Sequence, residues 1–273
     1  MKKLMALLAS LTLVLAACGN DTETQTEQAN EPQTLKVASL IPPMTDMLEI
    51  AKEQLAEENI ELEIVVLGDN VQPNSALAAK EVDANFFQHV PYMEEFNRSN
   101  DANLVPIEPI YFANYGVYAK NYDKMEDIPE GATIAIANDV SNIDRSLSLL
   151  AQHDVIELGE KEGTYYTQAD ITSNPKNFKF EEVDLLMLAR AYDDVDAVLM
   201  TPAYAAPLGL TPKSDALLTE GVENDFAITL VAREDNQDDE AIQKLGEALT
   251  SDEVRAFLQI LRTGKPIPGI ARL

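Results

Sequence analysis

Among 273 residues there is one cysteine, Cys18, no tryptophan, and only two histidines, His89 and His153. A single cysteine excludes any disulfide within the chain, whatever the redox state of its compartment. Cations are scarce as well: 20 Lys and Arg stand against 47 Asp and Glu, a formal net charge of −27. Phosphate-backbone binding needs a clustered basic surface, so nucleic acid is excluded as a partner, and the acidity reads as solubility in an exposed environment. Catalytic signatures are missing too. There is no G-x-S-x-G, P-loop, H-E-x-x-H or glycine-rich dinucleotide turn, and the two histidines lie far apart. No enzymatic activity and no cofactor are expected. The acidic run from Glu234 to Glu240 lacks the glycine and the spacing of a calcium loop, so it reads as a solvated loop ahead of a helix and no metal is expected. Long apolar runs are also lacking. The longest N-terminal one, Leu4–Leu15, has twelve residues, short of the roughly 20 that a spanning helix requires.

That run does complete an export signal. Met1-Lys2-Lys3 is a positive n-region, Leu4–Leu15 the apolar core, and Leu15-Ala16-Ala17-Cys18 matches the bacterial lipobox. The expected processing is removal of residues 1–17 and acylation of the Cys18 sulfur. Two acyl chains on one residue hold a protein at a membrane stably, where one binds reversibly. Residues 18–34 then form a tether, with almost nothing to bury. The folded part would sit on the order of 20–25 Å from its anchor, on the extracytoplasmic face of the cell membrane.

Beyond residue 34, strands and helices alternate. Leu35–Leu40 and Glu61–Leu67 read as strands; a helix starts near Asp46, with Glu49 in capping-box position, and Pro73 opens another through Lys80. This is the start of a doubly wound α/β lobe. Leu104–Tyr111 and Tyr115–Lys120 are extended, and Met125–Gly131 is a polar turn. A second lobe comes next, with strands at Ala132–Ala137, Lys179–Val183 and Ala197–Met200 and a helical segment at Leu186–Tyr192. A helix is expected over Ile143–Gln152, capped by Ser141 or Asn142. Phe226–Ala232 returns as a strand, and Asp239–Leu249 and Asp252–Leu261 close the chain as helices. The division is residues 35–118 with 228–273 in one lobe and 119–227 in the other, with passages near Tyr115–Asp123 and Asn224–Leu230.

The richest stretch is Val82–Met93, Val-Asp-Ala-Asn-Phe-Phe-Gln-His-Val-Pro-Tyr-Met, which mixes aromatics with a histidine and two side-chain amides. That is the composition of a wall that holds an apolar body and polar ends, although aromatics are more often plain core. Asp-Ala-Asn-Phe-Phe-Gln-His-Val-Pro-Tyr resembles the signature D-A-N-x-F-Q-H-x-P-Y of the methionine-binding lipoproteins, the NlpA family of ABC-transporter receptors. Asp69-Asn-Val-Gln-Pro-Asn-Ser-Ala-Leu77 resembles the family's D-Y-V-x-P-N-x-A-L, Asn138–Leu147 its N-D-P-[ST]-N-x-G-R-[AS]-L, and Asp170–Lys179 its D-[IV]-x-E-N-P-K-x-L-K. The blocks are in order and span nearly all of the chain after residue 34.

The resemblance implies a two-lobed α/β fold of the periplasmic-binding-protein type (type II) with two crossover linkers. It also implies a receptor that captures methionine or a related amino acid or dipeptide between the lobes, and delivers it to a permease and ATPase. It carries ligand contact onto Asn142 and Arg145. The residues themselves leave Arg145 open: a guanidinium at a helix N-terminus suits a carboxylate, but pairing with Asp139 or Asp144 would explain it equally. Phe87 and His89, with Phe86 or Gln88 according to chain direction, are expected to wall the apolar part, with Tyr115 opposite. Departures from the family's pattern bear on specificity. The family usually has Asn where this chain has Thr201 and Ile228, and Gly where it has Asp144, a carboxylate beside the supposed anion clamp. A derivative, a dipeptide or another amino acid therefore stays open beside L-methionine. Lipid anchoring also suits a surface protein that contacts other cells, an alternative with no transport ligand.

Overall fold

The structure is a computed structural model that describes residues 32–221 and 224–263. The expected signal segment, the lipidation site Cys18 and nearly all of the tether lie outside the described residues.

From the first described residues the chain alternates as β1 (Gln33–Ser39), α1 (Met44–Glu57), β2 (Ile60–Val66), α2 (Gln72–Ala78), β3 (Ala84–His89), α3 (Val90–Asn100) and β4 (Leu104–Phe112). It continues with β5 (Gly116–Tyr118), β6 (Thr133–Ala137), α4 (Val140–Gln152), the short pair β7 (Glu157–Leu158) and β8 (Ile171–Ser173), and β9 (Lys179–Val183). Then come α5 (Leu188–Ala191), β10 (Ala197–Met200), α6 (Pro202–Ala205), α7 (Pro212–Asp215), β11 (Ala216–Thr219), β12 (Ala227–Arg233), α8 (Glu240–Leu249) and α9 (Asp252–Thr263).

Two five-stranded sheets result, in the orders β2-β1-β3-β12-β4 and β11-β5-β10-β6-β9. In the first, β1 runs parallel to β2 and β3, and β12 returns antiparallel to β3 and β4. In the second, β6 is parallel to β9 and β10, and β5 antiparallel to β10 and β11. Both sheets are covered on two faces, as their apolar strands require. Val37, Phe86 and Leu230 pack towards α1, α8 and α9, whereas Ala38 and Val231 pack with Leu77 of α2 and Met93 of α3. Ile134, Ile136 and Leu199 meet Leu147 and Leu150 of α4, and the alternate residues Ala135, Val198 and Met200 meet Leu188 and Tyr204.

Three expectations are corrected. The strand at Gly116–Tyr118 belongs to the second sheet, between β11 and β10, so the first passage between sheets lies at 113–115 rather than beyond residue 118. A β-carbon on Gly116 would come within 2.8 Å of the Tyr118 ring and 3.0 Å of Ala216 Cβ, so this crowded crossover excludes a side chain. The first helix starts at Met44 with no side-chain cap, and Asp46 sits inside its first turn instead of capping it. Helix α4 starts at Val140, and its cap is Asp139, whose carboxylate accepts the Asn142 N–H; neither Ser141 nor Asn142 caps it. Three more residues ahead of Arg145 put that side chain in the second turn rather than the first. Among the described residues no helix is long and apolar enough to cross a membrane, and no group of three or more His, Cys, Asp and Glu could hold a metal.

Candidate functional site: a cavity between the two sheets

The motif strand β3 is buried along its whole length, and its end is not regular. The ladder steps from Phe86 opposite Leu230 to Gln88 opposite Thr229, leaving Phe87 without an opposite residue. Such a β-bulge re-aims side chains. Phe86 turns into the core of the first sheet, edge-on to Tyr111 at 6.5 Å between ring centres, and is not a cavity residue. Phe87 and Gln88 both reach the cavity wall. Because the bulge shifts the phase, Asn85 and Gln88 lie together over α2, where Asn74 completes a buried amide cluster. Asn74 Nδ2 donates to Gln88 Oε1 at 2.7 Å, Gln88 Nε2 to Asn74 Oδ1 at 2.5 Å and to Asn85 Oδ1 at 2.9 Å, and Asn85 Nδ2 to Asn74 Oδ1 at 2.8 Å. The amides of two motifs are thus structural first, fixing β3 against α2.

His89 ends β3 and caps α3, its Nδ1 accepting the Tyr92 N–H at 3.2 Å. With Nδ1 an acceptor, the proton is on Nε2, which faces Asn142 Oδ1 at 3.2 Å, across to the α4 side of the cleft. Asn142 Oδ1 also accepts from the Tyr115 hydroxyl at 3.1 Å, and its amide donates to both Asp139 oxygens. Burial, and then the repulsion of nearby Arg145, push the His89 pKa down to about 3, against a hydrogen bond to Asn142 that favours the charged form. The imidazole is therefore neutral at neutral pH. A folded pKa below the unfolded 6.5 means stability that is fully present above about pH 6.5 and is lost as pH falls towards 3. A His89→Gln chain should lose less on acidification. Between about pH 6.5 and pH 4.5 the wild type should fall by roughly 2–3 kcal/mol more than the variant in urea unfolding. Parallel profiles would refute a buried neutral imidazole.

Arg145 is fully buried, with its guanidinium stacked between the rings of Tyr115 at 4.2 Å and Phe226 at 4.3 Å. Glu220 takes its side edge: Nε donates to Oε1 and Nη2 to Oε2, each at 2.6 Å. Nη2 also donates to the Ala113 carbonyl at 2.8 Å, and Glu220 Oε2 accepts the Tyr115 N–H at 2.7 Å. The pairing expected for Arg145 does not hold, since its partner is Glu220 and neither Asp139 nor Asp144. With both faces covered and Nε and Nη2 committed, a ligand can be met only through Nη1, which is a single-nitrogen contact and no bidentate fork. Asp144, expected beside the clamp, instead pairs with Lys161 at 2.6 Å and accepts the Tyr166 N–H. Glu220 and Phe226 carry no signal along the chain. No local pattern links Glu220 to an arginine 75 positions earlier; only the fold brings them together.

The cavity is narrow, with about 40 Å³ of room, space for a few water molecules. Phe87, His89, Tyr115, Asn142, Arg145 and Thr201 all line it, and so does Ile228; of the expected wall residues only Phe86 does not. Apolar lining comes from Leu40, Met44, Tyr111, Leu185 and Tyr204 as well, none of which carries a sequence signal apart from its hydrophobicity. At the side of the cleft Tyr165 donates to the Pro91 carbonyl at 2.8 Å, with Arg98 over its ring.

The family profile of the NlpA lipoproteins matches residues 35–270, almost the whole described chain. The chain belongs to the NlpA lipoprotein family. It is 35% identical over 275 residues to the methionine-binding lipoprotein MetQ of Bacillus subtilis, covering 98% of this chain and 99% of that one. Among solved structures it is similar to a nutrient-binding protein from Burkholderia cenocepacia bound to methionine, at a TM-score of 0.81 and 32% identity, covering 84% of this chain and 97% of the other. A periplasmic substrate-binding protein of an ABC transporter from Coxiella burnetii matches at a TM-score of 0.80 and 34% identity, over 85% and 100% of the two chains. This NlpA-family member therefore has the fold of periplasmic substrate-binding lipoproteins, and its cavity lies between the two sheets of that fold.

Proposed function

We propose that this chain is the substrate-binding lipoprotein of an ABC importer. It takes methionine or a related amino acid or dipeptide into the cleft and hands it to a permease driven by an ATPase. The observation that carries the reading is a cavity walled from both sheets and lined by a buried arginine together with aromatic and thioether side chains. In this reading the ligand carboxylate accepts from Arg145 Nη1, and Asn142, held by Asp139, His89 and Tyr115, presents a fixed polar edge. Phe87, Tyr111 and Met44 cover the apolar side chain. Thr201 supplies a hydroxyl to the polar end. The two passages between sheets, at 113–115 and 224–226, allow the hinge closure by which such receptors enclose and release a ligand. Acylation of Cys18 would hold the receptor on the extracytoplasmic face near its permease and raise the effective concentration there. No step needs a covalent intermediate, a metal or a cofactor, in keeping with a receptor rather than an enzyme.

A thermal-shift screen of the purified full chain against amino acids, N-blocked amino acids and dipeptides tests this. At a hundredfold excess over Kd, a ligand should add about 2.7 kcal/mol of apparent stability. A flat response across all three classes would refute the receptor reading.

A further inference from the structure

We infer that residues 160–166 are a strap that latches the cleft shut, with Tyr165 as the latch and Asp144 as the residue that positions it. The inference concerns access to the proposed receptor site and rests on that reading for its purpose.

The strap is anchored to one half of the fold and reaches the other. Its base is closed on Asp170: the Gly159 N–H donates to the Asp170 carbonyl at 2.9 Å, and the Asp170 carboxylate accepts the Thr167 N–H at 2.7 Å and the Thr167 hydroxyl at 2.9 Å. Its middle is held by Asp144 of α4, whose Oδ1 accepts from Lys161 Nζ at 2.6 Å and from the Tyr166 N–H at 2.7 Å, while Lys161 lies over the Tyr166 ring at 4.2 Å. Tyr166 packs against the core of the second sheet. A glycine, which the family usually has at position 144, has no side chain to hold the strap. Asp144 is next to Arg145 and two residues past Asn142, so the helix that lines the cavity also sets the strap.

Tyr165 crosses to α3, which packs with the first sheet through Met93. Its hydroxyl donates to the Pro91 carbonyl at 2.8 Å, and Arg98 lies over its ring at 5.2 Å. Arg98 also donates to the Thr164 hydroxyl at 3.4 Å, and its ion pair with Glu95 orients it. Pro91 comes two residues after His89, so this latch stands beside the cavity's own bridge from His89 to Asn142. With about 40 Å³ of room, the closed cavity admits a few waters and nothing larger. A larger solute enters only when the halves separate, and separation breaks the Tyr165 bond. One such hydrogen bond is worth about three- to tenfold in the open population.

Cys18 is the one native thiol, so an introduced cysteine reports opening. In the full chain, Thr201→Cys puts a thiol on the buried cavity wall, and Ala241→Cys puts one in the core of the first sheet, outside the cavity lining. Labelling of each by iodoacetamide, without ligand, is followed by peptide mass. Adding Tyr165→Phe should speed labelling at Thr201→Cys about three- to tenfold and leave Ala241→Cys unchanged. Arg98→Ala and Asp144→Ala should each speed the same site, and Asp144→Asn, which keeps an acceptor for the Tyr166 N–H, should do so less. An unchanged rate with Tyr165→Phe, or equal acceleration at both thiols, would overturn the latch. Because no ligand is used, the receptor reading would survive that result. Acceleration by Tyr165→Phe but by neither Asp144 variant would overturn the positioning role of Asp144.

Discussion

Replacing Arg145 with alanine should cost about 3–5 kcal/mol of unfolding free energy and remove ligand-induced stabilisation altogether. The stability loss comes from what is left behind. Arg145 and Glu220 are 1% and 7% exposed, and without the guanidinium the carboxylate keeps only the Tyr115 N–H in a site that excludes water. The rings of Tyr115 and Phe226 lose the cation they enclose, and the Ala113 carbonyl loses its donor. The two losses separate in a double-mutant cycle. Arg145→Ala combined with Glu220→Ala should regain much of the stability, because no uncompensated buried charge remains, yet it should not regain ligand binding. Urea unfolding and titration of the four chains measure both. Recovery of binding in the double variant would remove Arg145 from ligand recognition and leave it as a strut. Glu220→Gln addresses the other partner: it keeps hydrogen-bonding capacity but frees the arginine to reorient, so it should weaken binding more than it weakens the fold.

Asn74→Ala should be the second most damaging change, at about 2–4 kcal/mol, although Asn74 is not itself a cavity residue. Its side chain is wholly buried, accepts from Asn85 and Gln88 and donates back to Gln88. Truncation strands polar groups on both neighbours, and a partly satisfied buried network costs more than an apolar one. Gln88, released, can turn into the cavity, so ligand affinity should fall with the melting temperature. Thermal unfolding with and without ligand reads both effects. If Asn74→Ala melts within about 2 °C of the wild type, the cluster is not what fixes β3 to α2.

These two residues mark how far reading along the chain reaches. The alternation of strands and helices is legible because buried parallel strands are continuous apolar runs and their helices carry one apolar side, as in Thr133–Ala137 followed by α4. Helix starts are less legible. The cap of α4 falls on Asp139 because a carboxylate that satisfies the Asn142 N–H, the Ser141 hydroxyl and the Asn142 amide together outcompetes either residue as a cap. Helix α3 escapes the sequence reading, although Pro91 comes two residues after His89, whose ring nitrogen caps it. The strand Gly116–Tyr118 is assigned to the wrong sheet from sequence because three residues carry no information about their partners.

The candidate site is legible as a set of residues and illegible as an arrangement. Phe87, His89, Asn142 and Arg145 lie in recognisable blocks, and together with Tyr115 and Thr201 they line one cavity. That Phe86 is core and Phe87 is wall is decided by one unpaired residue in a ladder between strands about 140 positions apart, which period-two reasoning along β3 cannot supply. Sequence determined what is local: compartment signals, charge, the succession of elements, the residue types available to hold a small ligand. Tertiary structure alone decided which charges were already spent. Glu220 on Arg145 and Asp139 on Asn142 turn an open anion clamp into a charge-balanced wall. The reason is physical: inside a low-dielectric cleft a charge is defined by its nearest partner, and partners are chosen in space.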